Sequence, residues 1–368
     1  MSTRCGSRPA AALLLLAATA CSSGVRSRVD VRHALATDPV GEDADDPAIW
    51  VHPTDPAESL LVGTNKVPAP RGSLVVFGLD GKIRQTIPGL DRPNNVDIEY
   101  GFPMRGGPVD IAVVTERLRR RLKVYRITAE GLTDISSGGG LPVFEGQPGE
   151  IGAPMGIALY RRSRDLSIFA VVSRKTGPRD GYLWQYGLQD DGAGKIRAVK
   201  VREFGRFSGA GEIEAVAVDD QLGYIYYADE GDGLHKYHAD PDHPEAAQEL
   251  AHFGRDGFRG DREGIGIYAR PDGSGFLVCS DQLDGNTKYH LYRREGKPGH
   301  PHDHSELVGF FYGGADATDG LEVTSRALGP RFPAGLMAAM NSGGRNFLVY
   351  DWQGIQAFLL TRAARKGA

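Results

Sequence analysis

The segment DADDPAIWVHP, residues 43–53, places Asp43, Asp45 and Asp46 ahead of a run that turns apolar and reads as a β-strand. Carboxylates at a strand entrance lose solvation unless something pairs with them. Related phrases recur as NVDIEY at 95, MGIALY at 155, EAVAVD at 214, EGIGIY at 263 and DGLEVT at 319; counted from Asp46, the steps are 49, 60, 59, 49 and 56 residues. The residues heading them are Asp46, Asn95, Met155, Glu214, Glu263 and Asp319, and five of the six carry a side-chain oxygen. A second apolar segment follows each phrase. The residues closing those segments are Lys66, Arg117, Lys175, Glu230, Gln282 and Asn341. Three cations thus come from consecutive repeats, and three oxygen donors follow.

Asp43, Asp45, Asp97, Asp229, Asp261, Asp281 and Asp316 lie beside these two columns. So many carboxylates cannot gather without counter-charge, because like charges force protonation or separation. Hard oxygen donors with no Cys or His among them select Ca²⁺ ahead of Mg²⁺ or Mn²⁺. A basic arc of Lys66, Arg117 and Lys175 facing a metal-loaded acidic arc suits an anionic substrate that bridges both. Arg119, Arg120, Arg121, Arg174 and Arg179 are close in sequence and read mostly as ordinary surface charge. No G-x-S-x-G, Walker A or H-E-x-x-H motif occurs, which argues against a covalent enzyme intermediate. Metal-activated water is the chemistry that remains.

The positioning elements follow from the same repeats. After the second segment comes a third (LVVFGLDG, LKVYRITAEG, YLWQYGLQDDG, LHKYHADPD, YHLYRREG, FLVYDWQG), and several lead on to a fourth such as AVKVREF or ELVGFF. Six repeats of this kind predict an all-β fold, a six-bladed β-propeller with about four antiparallel strands per blade. The high glycine count, 50 in 368 residues, fits many turns. The leading segment RVDVRHALA, residues 28–36, has no blade of its own and is expected to supply the outer strand of the last blade. We assign residues 21–40 to a linker and this ring-closing strand, 41–356 to the propeller, and 357–368 to a frayed basic tail. The loop GHPHDH, residues 299–304, reads as solvated, with metal binding as the alternative.

Residues 1–20 read as an export signal: two arginines, an apolar stretch from Ala10 to Ala18, and small residues before Cys21. The stretch is too short to span a membrane. The pattern before Cys21 resembles a lipoprotein cleavage site, so lipidation of Cys21 and anchoring to a bacterial membrane are expected, with ordinary secretion as the alternative. Loss of Arg4 and Arg8 takes the formal net charge from −4 to −6. With Cys21 lipidated, Cys279 has no partner for a disulfide within the chain.

The phrases DDPAIWVHP, GTNK, LDGK, NNVDIEY, EAVAVDDQLGYIY, ADEGDGLHKY, DREGIGIY and TDGLEV resemble the β-propeller phytases across nearly all of residues 40–355. The resemblance implies a six-bladed propeller and a calcium-dependent 3-phytase, which releases orthophosphate from myo-inositol hexakisphosphate with several bound Ca²⁺ ions and calcium-activated water. It implies calcium ligation by Asp45, Asp46, Glu214, Glu230, Asp261, Glu263 and Asp316, to which the column reading adds Asp97 and Asn341. Lys66, Arg117 and Lys175 match the family's phosphate-contacting cations, and with Glu230 they form the expected catalytic set. Met155 and Thr176 depart from the family pattern, where a tyrosine ligand and a glutamate are usual. The expected partners are phytate and lower inositol phosphates, with no nucleic acid and no membrane contact beyond the lipid; a monomer is expected. A calcium-dependent propeller lactonase and a non-catalytic polyanion-binding propeller are the rival readings.

Overall fold

The computed structural model describes residues 1–2 and 28–366; residues 3–27, with Cys21 and most of the expected export segment, lie outside it. Six antiparallel sheets follow one another around a central channel. Blade 1 runs Ala44–Trp50, Leu60–Asn65, Gly72–Gly78 and Ile83–Leu90 from channel to rim. Blade 2 has Pro93–Phe102, Val109–Glu116 and Arg121–Thr128; two short strands, Gly131–Asp134 and Leu141–Pro142, share the last of these as partner. Blade 3 is Pro154–Arg161, Ile168–Arg174, Asp180–Asp190 and Ile196–Arg206. Blade 4 is Val216–Asp219, Tyr224–Asp229, Gly233–His238 and Ala251–Phe253. Blade 5 is Ile265–Ala269, Gly275–Asp281, Lys288–Arg293 and Leu307–Tyr312. Blade 6 takes Leu321–Thr324, Leu336–Asn341 and Asn346–Asp351 from the end of the chain and Leu35–Ala36 from its beginning. The leading segment therefore closes the ring as expected, with Leu35 opposite Val349.

Burial follows position in the blade. Leu60–Asn65 is buried at every residue, because neighbouring blades cover both faces of a middle strand. The outer strand Ile83–Leu90 is mostly exposed or half-buried, with one face turned to water. The core is accordingly divided into six apolar clusters, one between each pair of adjacent blades. Burial of this kind, spread over every interface, is the main stabilising term of the fold, and no disulfide occurs among the described residues.

Two local expectations need correcting. The C-terminal segment is an α-helix, Trp352–Lys366, rather than a frayed tail. Its first turn buries Trp352, which stacks on Tyr268 at 3.9 Å, together with Ile355. The His-rich loop is solvated at Gly299, His300 and Pro301, as expected, but anchored at its end. His304 is buried, its Nδ1 lies 2.8 Å from the Arg293 carbonyl, and its Nε2 lies 3.1 Å from Lys236 Nζ. Among the described residues no helix is long and apolar enough to cross a membrane.

Candidate active site

The inner strands of blades 1, 2 and 3 all begin with a register break, between Ala44 and Pro47, Pro93 and Val96, and Pro154 and Ile157. A bulge there re-aims consecutive side chains, so blade 1 presents both Asp45 and Asp46, and blade 2 both Asn94 and Asn95. Bulged backbone needs partners for its N–H groups. The second strand provides hydroxyls: Asp46 N donates to Thr64 Oγ1 (3.0 Å), Asn95 N to Thr115 Oγ1 (3.1 Å) and Gly156 N to Ser173 Oγ (2.9 Å). In blades 4 to 6 the carboxylates Glu214, Glu263 and Asp319 instead sit two residues ahead of the inner strand. The glycine after two of them allows close packing of blades. A Cβ on Gly264 would lie 2.6 Å from the Asp319 carbonyl oxygen, and one on Gly320 would lie 2.7 Å from Asp46 Cα.

These residues meet at one end of the channel. Lys66 Nζ forms an ion pair with Asp45 and another with Asp319 Oδ2 at 3.2 Å. Burial opposes the Lys66 charge, yet Asp45, Glu214 and Asp319 hold its pKa well above the usual lysine value. Asn94 donates to Glu214 Oε1 and to Asp45 Oδ2 (3.4 Å), which ties blades 1, 2 and 4 together. Lys175 pairs with Glu212; burial and then Arg117 lower its pKa. Burial also lowers the pKa of Arg117, whose Nε is buried without a hydrogen-bond partner. The three expected cations thus converge, and one is poised for an acceptor the chain does not supply.

The acids converge as well. Glu230, Asp261 and Glu263 each bring an oxygen within 4.8 Å of the other two. Burial, then Asp261 and Glu214, push Glu230 up to about 7. Burial, then Glu214, Glu230 and Asp319, push Glu263 well above the carboxylate range. Asp45 is likewise raised, first by burial, and Asp46 also, although Asp46 Oδ2 accepts from Val96 N at 2.9 Å. A buried set of oxygens that cannot ionise together fits hard divalent cations, which would supply the missing positive charge.

Three expected ligands stand apart from this set. Asp97 lies two residues beyond Asn95, roughly 6–7 Å further along the channel. It accepts from Ile98 N (2.7 Å) and Leu159 N (2.6 Å), and burial raises its pKa to about 7. Asp316 and Asn341 also brace a turn: Asp316 N donates to Asn341 Oδ1 at 2.9 Å, and Gly285 N to Asp316 Oδ1 at 2.6 Å. Asp229 and Asp281, next to the column residues Glu230 and Gln282, also serve the backbone. They accept from Ser208 N (2.5 Å) and from Gly260 N (2.8 Å), fixing the loops that carry Glu214 and Glu263. Of the neighbouring arginines, Arg119 pairs with Glu116 (3.0 Å), Arg174 lies over Phe144 (4.3 Å) and Arg179 donates to Ser208 O (2.6 Å). Asp319, Asn94 and Glu212 belong to the site but were not among the expected ligands. Asp319 stood in the first-strand column, whereas Glu212 sits in a loop that no repeat marks. At the departures, Met155 is fully buried and only its carbonyl is engaged, by Thr115 Oγ1 at 2.6 Å, while Thr176 is exposed.

A family model for phytase matches residues 2–357. The chain belongs to the phytase family. It is 32% identical to a 3-phytase of Bacillus subtilis over 372 aligned positions, covering 95% of this chain and 92% of that one. Among solved structures it is similar in shape to a Bacteroides uniformis protein provisionally described as a 6-phosphogluconolactonase (15% identity, TM-score 0.49, 83% of this chain and 80% of that chain). It is also similar to the Swd1 propeller domain of Myceliophteria thermophila (12% identity, TM-score 0.48, 84% and 83%).

Proposed function

We propose that this phytase is a calcium-dependent phosphomonoester hydrolase that releases orthophosphate from phytate and lower inositol phosphates. The observation that carries the reading is the convergence of Lys66, Arg117 and Lys175 with Asp45, Glu214, Glu230, Glu263 and Asp319 at one channel mouth. Asp45, Asp46, Glu214, Glu230, Asp261, Glu263 and Asp319 would hold the ions. Bound calcium supplies positive charge to the phosphoryl oxygens and acidifies water for attack on phosphorus.

The chain's own groups do the positioning. Arg117 offers a guanidinium fork to two phosphate oxygens, and its unpartnered Nε gains a hydrogen bond when phosphate arrives. Lys66 and Lys175 stabilise charge on the remaining oxygens as point charges. Glu230 Oε2 accepts from Glu212 N at 2.8 Å, which leaves Oε1 to take a proton from the attacking water. Asp97, Asp316 and Asn341 remain further candidates for ion ligation beside the hydrogen bonds described above. An export signal with a lipid on Cys21 would put the enzyme outside the cytoplasm, where it would scavenge phosphate; a monomer would suffice, since one ring contains the whole site.

The test is phosphate release from phytate by purified residues 22–368, with calcium and then with excess chelator. Release that chelator abolishes is the expected result. Release that survives chelation would remove calcium from the mechanism. A folded protein that binds phytate and releases nothing would make it a polyanion-binding propeller.

A further inference from the structure

Blade 4 carries a second polar cluster, on its outer strands and separate from the carboxylates of the mouth. His235 on Gly233–His238 stands directly opposite His252 on Ala251–Phe253 in the antiparallel register. Asp232 immediately precedes the first of these strands. One ligating atom from each of Asp232, His235 and His252 lies within 4.8 Å of the other two.

The hydrogen bonding around His235 is what points to a ligand. The ring is 2% exposed. Its Nδ1 lies 2.6 Å from Glu249 Oε1, a carboxylate that can only accept, so Nδ1 carries the proton. That leaves Nε2 as a bare lone pair, and Nε2 is buried without a partner. His235 stacks on Tyr227 (4.7 Å) and on His252 (4.4 Å), but ring packing does not satisfy a buried acceptor. Asp232 is arranged in a complementary way. Its Oδ1 faces the exposed Arg255 at 3.3 Å, while Oδ2 lies 3.4 Å from His252 Nε2. His252 Nε2 also lies 3.1 Å from the Asp232 carbonyl and donates to it.

We propose that Asp232, His235 and His252 form a binding site for a first-row transition ion, zinc above all, with Glu249 orienting His235 from behind. A carboxylate on the far nitrogen of a ligating imidazole fixes the tautomer and raises ligand basicity. Two imidazoles and one carboxylate select zinc, cobalt or nickel and discriminate against calcium, which takes oxygen ligands. Ligation requires bonds of about 2.0–2.2 Å, and two near-parallel stacked rings cannot both aim an in-plane lone pair at one ion, so His252 must turn out of its stack on His235 and, with Asp232, both partly exposed, close on the anchored His235. The His252 proton shifts from Nε2 to Nδ1 and no group is oxidised or lost. The ion would tie the outermost strand of blade 4 to the turn that follows Glu230.

The experiment is a Co²⁺ titration of the purified chain in saturating calcium, read by visible absorption and followed by Zn²⁺ competition. The expected result is one Co²⁺ per chain with a tetrahedral or five-coordinate spectrum that zinc abolishes and millimolar calcium does not. His252→Gln lowers Co²⁺ affinity at least about 100-fold, and Glu249→Gln about 10- to 100-fold, with phytate hydrolysis in calcium unchanged in both. The neighbouring cluster of His238, His243 and Glu245 supplies the control, His243→Gln, which should bind Co²⁺ as the parent does. The proposal is overturned if His252→Gln retains the parent's affinity, if His243→Gln is the variant that loses it, or if calcium displaces the cobalt.

Discussion

Stripping the ions should expose the electrostatic strain of the channel mouth as an inverted pH dependence of stability. Glu230 sits at about 7 in the folded chain against an ordinary 4.5, and burial is the main cause. Below 4.5 both folded and unfolded chains hold the proton. Between 4.5 and 7 the folded chain holds a proton the unfolded chain has released, so stability falls as pH rises through that window. A fully buried group with this shift would contribute about 3.4 kcal/mol; Glu230 keeps some contact with water, and screening reduces the figure to about 2 kcal/mol. Glu263 and Asp45, also raised by burial, act in the same direction. His304, pushed down to about 4 by burial, works the other way at the acid end. The comparison with Glu230→Gln cancels it. The assay is urea unfolding from pH 5 to 8, in chelator and in calcium. In chelator the parent should lose stability with rising pH, and Glu230→Gln should lose about 2 kcal/mol less across the range. In calcium the ions take the place of the protons and the slope should disappear. Equal slopes for parent and variant in chelator would refute the reasoning.

Lys66→Gln removes the cation that bridges Asp45 and Asp319; kcat should fall about 100-fold or more, measured as phosphate release at saturating calcium and phytate. Gly63→Ala places a Cβ 2.6 Å from Phe347 Cζ at the seam between blades 1 and 6, and should cost about 1–3 kcal/mol by overpacking, read from the urea midpoint. Lys236 is fully buried, and burial pushes its pKa down to about 7 from 10.5. The folded chain releases that proton at lower pH than the unfolded chain, so the parent should gain stability between pH 7 and 10. Lys236→Met should lack the gain, and unfolding at pH 7 and pH 9.5 decides it.

The repeat made the propeller legible because every blade buries its second strand on both faces and so repeats the same apolar phrase. The cation column was legible for the same reason, since Lys66, Arg117 and Lys175 each close such a strand. Depth along the channel was not. Asp97 shares a strand and a face with Asn95, and only the rise per residue separates a group at the mouth from one inside. Nor does a column position show the local bonding of a side chain: Asn341 Oδ1 accepts from Asp316 N. Glu212 lies in a loop whose length varies from blade to blade, outside any periodic signal. The terminal helix had a signal that went unread: Trp352, Ile355 and Leu359 fall at helical spacing, but the basic residues after them suggested a solvated tail.

The two halves of the mouth are built differently. In blades 1 to 3 the residues at the mouth are held by bulged strands whose N–H groups are satisfied by Thr64, Thr115 and Ser173. Such backbone is fixed by its own hydrogen bonds and needs no ion. In blades 4 to 6 the carboxylates precede the strand, on backbone outside the ladder. The loops ahead of blades 4 and 5 hang on Asp229 and Asp281, and the carboxylates themselves repel one another. Their backbone is nonetheless tied: Gly264 N donates to Ser280 Oγ at 2.8 Å and Thr318 N to Thr287 Oγ1 at 3.0 Å. The difference between the halves is therefore one of charge and strand position, with Lys66, Arg117 and Lys175 following the second strands of blades 1 to 3 and Glu214, Glu263 and Asp319 preceding the inner strands of blades 4 to 6.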